Sequence, residues 1–295
     1  MAAETLLRGA VVALATPVTA GALDRRSLDG LVTHCVEGGV VGISCCGSTG
    51  EGARLSRAER LEVAHAVVNL VPDTVMVVPG LPVTSLTDAL AELVSLGDLG
   101  VTAALVAPPA YYPPDDTELL RLYSTLADAS PVPLLLYNIP MFTAGLPVPV
   151  VAALAAHSNI VGTKDSSRDL EYLQAVLAAT RGRDFTVFTG TDTLLVPSVL
   201  MGAHGAITAG GNVVPDLVAG VLAATTGGDL DRAWELQRRL TAVVDACRGG
   251  SFPAGWKAAV QLQGRCSGEL VSPATRLSDE LTDAMAARLR AAEVL

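Results

Sequence analysis

The 295-residue sequence has few aromatic residues and no long apolar run. Aromatic side chains make up 4% of the residues and charged ones 17%, although half of all residues are hydrophobic. No run approaches the roughly 18–20 consecutive apolar residues that span a bilayer. The first eight residues lack the basic stretch and apolar segment of a signal peptide. We therefore expect a cytoplasmic protein that has no membrane partner.

Positive charge is also scarce. Thirty acidic residues against twenty basic ones give a formal net charge of −10. Nucleic acids and anionic membrane surfaces are bound through clustered cations. The composition therefore argues against a nucleic-acid partner.

Histidine and cysteine are too few and too scattered to indicate a metal site. The four histidines occur singly, and the five cysteines are an odd number without paired spacing. We expect the cysteines to be reduced thiols, as in a reducing compartment. Cys45 and Cys46 are neighbours on an apolar run, which places them on opposite faces of a strand. No metal is predicted.

What the sequence does contain is a regular alternation of strand-like and helical patterns. Eight short β-branched runs cover residues 10–17, 40–46, 74–79, 102–108, 133–139, 160–164, 185–189 and 205–208. Apolar residues at helical spacing lie between them, for example in residues 56–70, 85–96, 117–129, 148–156 and 169–179. Parallel strands need crossover connections, so the pattern predicts an α/β fold, a (β/α)₈ TIM barrel. A doubly wound open sheet is the alternative.

Three more helical stretches follow the eighth unit, at residues 229–247, 255–266 and 278–293. They exceed what a barrel needs, and a helical cap or an oligomer contact is their natural use. We therefore expect a barrel over residues 1–225 and a C-terminal helical extension, residues 226–295, packed on it. No linker interrupts the alternation.

Lys164 is the strongest functional signal. The sequence has two lysines, Lys164 and Lys257, against eighteen arginines. A lysine amine can condense with a carbonyl group, whereas a guanidinium stays protonated. Lys164 ends a strand-like run at the barrel rim that carries active sites, and desolvation there favours the neutral amine. The alternative is a rim lysine paired with Asp165 or Asp192. Lys257 lies in a helical pattern and is predicted to be structural.

Other polar residues follow neighbouring strands. Ser48 and Thr49, in the turn of residues 47–51, offer hydroxyl and backbone N–H groups to an anion, although a plain turn fits equally well. The turn lacks the Gly-Lys-Ser/Thr ending of a phosphate loop. Tyr137 ends the strand before that of Lys164 and could carry protons or simply pack at the rim. The proline-bracketed pair Tyr111 and Tyr112 is typical of packing or an oligomer contact.

Taken together, these segments resemble the dihydrodipicolinate synthase / N-acetylneuraminate lyase family of class I, pyruvate-dependent aldolases. The resemblance extends from about residue 8 to the C-terminus. It includes residues 47–51, 137–140, 162–165 and 205–207, in the family's order and spacing. It implies a homotetramer built from tight dimers, and an imine with pyruvate that needs neither a metal nor an organic cofactor.

The resemblance also implies roles for residues at the strand ends. Lys164 matches the Schiff-base lysine and Tyr137 the tyrosine that shuttles protons. Thr49 matches the residue that binds the keto-acid carboxylate, and Ser48 the one that links Tyr137 to a second tyrosine. That second tyrosine, which reaches into a neighbouring subunit's site, matches Tyr111, with Tyr112 as the alternative.

Two further positions would line the site of the 2-oxo acid. Ile207 matches the residue whose backbone lines the pyruvate site, and Gly190 matches a small residue on the seventh strand.

Three positions bear on the second substrate. Phe142 stands where synthases that accept aspartate semialdehyde carry an arginine, and Arg54 or Arg168 could compensate for it only from other loops. Asp192 is half of the acidic pair that sialic-acid lyases use for sugar hydroxyls, and Ser166 lies nearby.

We therefore expect reversible cleavage of a 4-hydroxy-2-oxo acid, such as a 2-keto-3-deoxy sugar acid, to pyruvate and an aldehyde. The alternatives are 4-hydroxy-tetrahydrodipicolinate synthase, a 2-keto-3-deoxy sugar acid dehydratase and, remotely, a non-catalytic binding barrel.

Overall fold

A computed structural model describes residues 7–295 of the chain. The strands are β1 (Gly9–Ala13), β2 (Val18–Thr19), β3 (Ala22–Leu23), β4 (Gly42–Ser44), β5 (Met76–Val77), β6 (Gly80–Pro82), β7 (Ala104–Ala107), β8 (Leu134–Asn138), β9 (Ile160–Asp165), β10 (Thr186–Thr189) and β11 (Gly205–Thr208). The α-helices are α1 (Arg25–Glu37), α2 (Arg57–Leu70), α3 (Leu86–Asp98), α4 (Asp116–Ala129), α5 (Val148–Leu154), α6 (Leu170–Ala179), α7 (Leu195–Leu200), α8 (Pro215–Thr226), α9 (Leu230–Ala246), α10 (Ala254–Leu262) and α11 (Asp279–Ala291).

Nine strands form one parallel sheet in the order β5-β4-β1-β11-β10-β9-β8-β7-β6. The first and last strands of this order, β5 and β6, are separated by only Val78 and Pro79. Val78 N–H donates to the carbonyl of Ile43 on one side, at 2.8 Å, and the carbonyl of Pro79 accepts from Leu105 on the other, also at 2.8 Å. One stretch of chain thus pairs on both edges, and the sheet curls round onto itself, unlike an open doubly wound sheet.

Polar residues cap the N-termini of helices that connect the strands. Ser56 caps α2, and its side chain accepts from Glu59 N–H while the Glu59 carboxylate accepts from Ser56 N–H. Asp115 and Glu118 form the same reciprocal capping box at α4. Such boxes satisfy N–H groups that the first helical turn leaves free. They fix where each crossover turns back towards the sheet.

The core has two layers because side chains alternate along each strand. One layer lies between the sheet and its helices, and the other fills the space inside the curled sheet. On β8, Leu134 and Leu136 belong to the outer layer, while Leu135 and Tyr137 belong to the inner one. The alternation thus directs Tyr137 into the interior.

The vicinal cysteines differ from the prediction. Strand β4 ends at Ser44, so Cys45 and Cys46 lie in the loop that follows it rather than on opposite faces of a strand. Cys46 adopts a left-handed φ of 55°, which turns the chain back and buries both side chains. All five cysteines are free thiols.

After β11 and α8, the chain continues into α9, α10 and α11. Helix α9 packs against α7 and α8, and α11 packs against α9 and α10. In the part of the chain that the structure describes, every helix is too short or too polar to cross a bilayer.

Candidate active site

Lys164 lies near the carboxyl end of β9, flanked by the two neighbouring strands. It pairs with Tyr137 of β8 on one side and with Phe188 of β10 on the other. Its side chain is only 4% exposed, and its Nζ lies 4.4 Å from the centroid of the Tyr137 ring. Strand register alone therefore brings the predicted nucleophile and the predicted proton carrier together.

A cavity of about 310 Å³ opens above these strand ends. This volume is at the lower end of the range for small-molecule sites, about 300–1,000 Å³. Nine of the ten predicted site residues line it: Ser48, Thr49, Tyr137, Phe142, Lys164, Ser166, Gly190, Asp192 and Ile207.

The tenth, Tyr111, does not line this cavity. It borders a second cavity of about 480 Å³, which shares Ser48, Tyr137 and Phe142 with the first. Tyr111 and Tyr112 are 85% and 79% exposed, and their rings meet edge to face with centroids 4.8 Å apart. Tyr111 thus does not join the group around Lys164 in this chain.

The turn of residues 47–51 places the Ser48 hydroxyl beside Tyr137 and lines the cavity with Ser48 and Thr49. Ser48 Oγ lies 3.5 Å from Tyr137 Oη, and the Thr49 side chain is 4% exposed. Gly50 makes the turn possible because a Cβ there would lie 2.8 Å from the carbonyl oxygen of Leu14. The close backbone approach holds the two hydroxyls over the cavity.

Glu51 anchors the turn to the C-terminal helices. Its carboxylate forms an ion pair with Lys257 of α10, with Nζ and Oε1 2.6 Å apart and both side chains fully buried. Val271 N–H donates to Glu51 Oε2 at 3.0 Å, and Lys257 Nζ donates to the Glu269 carbonyl at 2.7 Å. Desolvation by burial lowers the pKa of Lys257, although hydrogen bonding and attraction to Glu51 oppose that shift. The structural role predicted for Lys257 is thus specific: it connects α10 to the turn.

We expect Lys257→Met to destabilise the protein by about 3–5 kcal/mol, because it removes the only fully buried cation that contacts the Glu51 carboxylate among the described residues. Urea unfolding followed by circular dichroism would measure the loss. Arg54→Ala is the control, since Arg54 contacts the same carboxylate at 3.1 Å but is 33% exposed. A partly exposed pair contributes about 1 kcal/mol or less. Equal losses from the two substitutions would contradict this description of the pair.

Gly190 gives Lys164 the space that it occupies. A Cβ at position 190 would lie 2.0 Å from Ser166 Oγ and 3.0 Å from Lys164 Cε. Any side chain at this position would therefore displace Ser166 or the lysine. This close approach gives a physical reason for glycine at a position that was selected only by resemblance.

The two acids considered as partners of Lys164 are engaged elsewhere. Asp165 accepts from Asn138 Nδ2 at 2.7 Å and from Ser167 N–H at 3.0 Å. Asp192 Oδ1 accepts from Gly210 N–H at 3.1 Å. Among residues 7–295, no acid forms an ion pair with Lys164. The structure thus does not support the alternative of a paired rim lysine.

Burial also changes the ionisation of these acids. It raises the pKa of Asp165, against hydrogen bonds that lower it. It raises the pKa of Asp192 to about 6, opposed by the nearby Thr208 hydroxyl, by the hydrogen bond from Gly210 N–H and by the charge of Lys164.

Phe142 forms an apolar wall where the two cavities meet. Its ring is 44% exposed and lies 5.8 Å, centroid to centroid, from that of Phe252. Met141 beside it is 54% exposed and lines the first cavity. This wall would offer no charge to a bound anion.

Sequence reasoning missed one wall of the first cavity. The loop between α9 and α10 contributes Cys247, Arg248, Gly250 and Phe252 to the lining. None of these residues follows a strand, and the sequence carries no signal that this loop folds back over the strand ends.

Residues 6–292 match the dihydrodipicolinate synthetase family. Among curated relatives, the chain is 35% identical to 4-hydroxy-tetrahydrodipicolinate synthase of Methanosarcina mazei, over 97% of this chain and 98% of that one. It is 34% identical to the enzyme of the same name from Methanosphaerula palustris, over 95% and 97% of the two chains.

Solved structures show the same likeness. YagE, a prophage protein of E. coli K12 that belongs to the dihydrodipicolinic acid synthase family, was determined in complex with pyruvate. It superposes with a TM-score of 0.95 at 28% identity, covering 99% of this chain and 100% of YagE. Dihydrodipicolinate synthase from Thermotoga maritima gives a TM-score of 0.94 at 26% identity, over 98% and 100% of the chains. The family model, the curated relatives and the solved structures each match nearly the whole length of the chain. The chain therefore belongs to the dihydrodipicolinate synthetase family.

Proposed function

We propose that this protein is a class I aldolase that binds pyruvate as an imine on Lys164. The observation that carries the proposal is a buried lysine amine, unpaired with any acid in residues 7–295, that lies over a tyrosine ring in a cavity of suitable size. The similarity to YagE, which was solved with pyruvate, supports the choice of 2-oxo acid.

The proposed reaction is reversible cleavage of a 4-hydroxy-2-oxo acid. The Lys164 amine adds to C2, and the carbinolamine loses water to give the imine. The C3–C4 bond then breaks, its electron pair enters the imine to form an enamine, and the 4-hydroxyl loses its proton as the aldehyde forms. The enamine is protonated at C3, and water releases pyruvate and regenerates the amine.

Tyr137 is proposed to carry the protons of these steps, since its hydroxyl borders the cavity beside Ser48. Thr49 and the backbone of its turn would hold the 2-oxo acid carboxylate. Gly190 and Ile207 would shape the pocket for the three-carbon unit, and Ser166 and Asp192 would face the hydroxyls of the remaining chain.

The second candidate is 4-hydroxy-tetrahydrodipicolinate synthase. The names of the curated relatives support it, and they favour it over the cleavage of sugar acids. Phe142 supports the first candidate, because its ring stands where the semialdehyde's carboxylate would need an arginine. Dehydration of a 2-keto-3-deoxy sugar acid shares the imine and is a third possibility that the site residues leave open.

An assay of condensation with pyruvate distinguishes the candidates. We expect aspartate semialdehyde to react at least ~10–100-fold less efficiently than the best aldehyde, since a lost charge-assisted hydrogen bond costs about 1.5–3 kcal/mol. Release of pyruvate from several 4-hydroxy-2-oxo acids would identify that aldehyde. A kcat/KM for the semialdehyde near or above ~10⁴ M⁻¹s⁻¹, the lower end of ordinary enzyme efficiency, would instead establish the synthase.

We further propose a homotetramer in which Tyr111 of one subunit completes the site of another. The exposure of Tyr111 and Tyr112 beside the second cavity supports this arrangement. Light scattering should give the mass of four chains, and an active monomer would contradict it. The division into a barrel, residues 1–225, and an extension, residues 226–295, also stays a prediction.

A further inference from the structure

Arg168 places a free guanidinium at the mouth of the cavity that contains Lys164. It follows β9 by three residues, is exposed to solvent, and lines the same cavity. Within residues 7–295, its side chain forms no ion pair and no hydrogen bond. Arg248, the other arginine of this cavity, is instead paired with Asp245 at 3.0 Å. Arg168 is therefore the cavity's available cation at its solvent side.

The backbone of Arg168 adopts a conformation that disfavours a side chain. Its φ is 66°, in the left-handed region where glycine is the ordinary residue. Neighbours on both sides fix the loop: Asp165 accepts from Ser167 N–H, and Ser167 Oγ accepts from Asp169 N–H at 3.1 Å. The Arg168 side chain contributes nothing to these bonds. Arginine thus occupies a position where glycine would adopt the same backbone conformation with less strain.

Strained residues of this kind concentrate at ligand sites. A guanidinium binds a carboxylate or a phosphate through two parallel hydrogen bonds, and its charge does not depend on pH in the working range. Lys164 lies buried at the base of the cavity and Arg168 lies exposed at its mouth. Both residues line the same cavity, so a substrate chain joined to Lys164 shares that cavity with the Arg168 guanidinium.

We propose that Arg168 determines specificity by binding a terminal anion, a carboxylate or a phosphate, on the aldehyde half of the substrate. This inference rests on the proposed imine at Lys164. It is compatible with the apolar wall of Phe142, because the anion is held by a different loop. It assigns an aldehyde with a terminal anion to the proposed cleavage reaction.

The test compares matched aldehydes in condensation with pyruvate. Glyceraldehyde 3-phosphate is paired with glyceraldehyde, and succinate semialdehyde with butanal. Arg168→Gly should lower kcat/KM for the accepted anionic aldehyde by ~10-fold or more, mainly through KM, and change that of its uncharged partner less than ~2-fold. The melting temperature of Arg168→Gly should be unchanged or higher, because glycine adopts the left-handed φ of this position without strain. Arg168→Lys should retain part of the preference.

Arg183→Ala removes an exposed arginine outside the cavity and is the matched control. Whichever anionic aldehyde the wild-type enzyme prefers identifies the anion as a phosphate or a carboxylate. A wild-type preference for the uncharged aldehydes, or an equal loss for charged and uncharged ones in Arg168→Gly, would overturn the inference while imine trapping at Lys164 persists. Absence of that trapping would overturn the proposed function itself, and the inference with it.

Discussion

Lys164→Arg is expected to fold normally and to lose activity by ~10⁴-fold or more, as removal of a covalent nucleophile does. The substitution keeps the positive charge but replaces an amine that can be neutral with a guanidinium that cannot. It breaks no ion pair among the described residues, since Lys164 has none there. The cavity of about 310 Å³ leaves room for the larger head group.

The measurements are pyruvate release from an accepted 4-hydroxy-2-oxo acid and thermal unfolding. The expected combination is a nearly unchanged melting temperature with activity at background. Lys257→Met should give the opposite result. It should lower the melting temperature, while Lys164 keeps its amine. Substantial turnover by Lys164→Arg would remove the imine from the mechanism.

Tyr137→Phe is expected to lower turnover by ~10²–10⁴-fold, the usual range for losing a general acid–base group. The ring would stay, and with it the packing inside the curled sheet and the contact with Lys164 Nζ. Only the hydroxyl is removed, and its contact with Ser48 Oγ is a long one of 3.5 Å. Stability should therefore change little, and pyruvate should still be trapped on Lys164, although more slowly.

Tyr172→Phe is the matched control. The Tyr172 hydroxyl donates to the Leu146 carbonyl at 2.6 Å and lies outside the cavity. Its removal should cost about 1 kcal/mol of stability and leave turnover unchanged. Near wild-type turnover in Tyr137→Phe would exclude Tyr137 as the proton carrier.

Most of the fold could be predicted because its strands and helices carry their own periodic signals. Each of the eight predicted strand runs contains or overlaps a strand of the parallel sheet. The run of residues 74–79 shows the limit of this reasoning: it was read as one strand, but Pro79 lacks an N–H for the ladder, and β5 and β6 lie on either side of it. The two-residue strands β2 and β3 are too short to show the alternation of apolar and polar residues from which a strand is predicted.

The candidate site could be predicted to the extent that it lies on strand ends. Lys164 and Tyr137 were found because parallel strands bring their carboxyl ends to one rim, whereas Gly190 was identified only through the family resemblance. The pair of Glu51 with Lys257 was not foreseen, since the two residues meet only when α10 packs beside the turn. Nor was the strained backbone of Arg168, because an arginine in the sequence does not signal a left-handed φ. Contacts between distant segments depend on packing that a single sequence does not reveal.

The imine at Lys164 is tested most directly by borohydride reduction in the presence of pyruvate, followed by peptide mass spectrometry. The predicted result is one stable three-carbon adduct per chain, located on Lys164 and absent from Lys164→Arg. Omission of pyruvate or of borohydride should leave the chain unmodified. An adduct on Lys257, or none at all, would contradict the proposed chemistry.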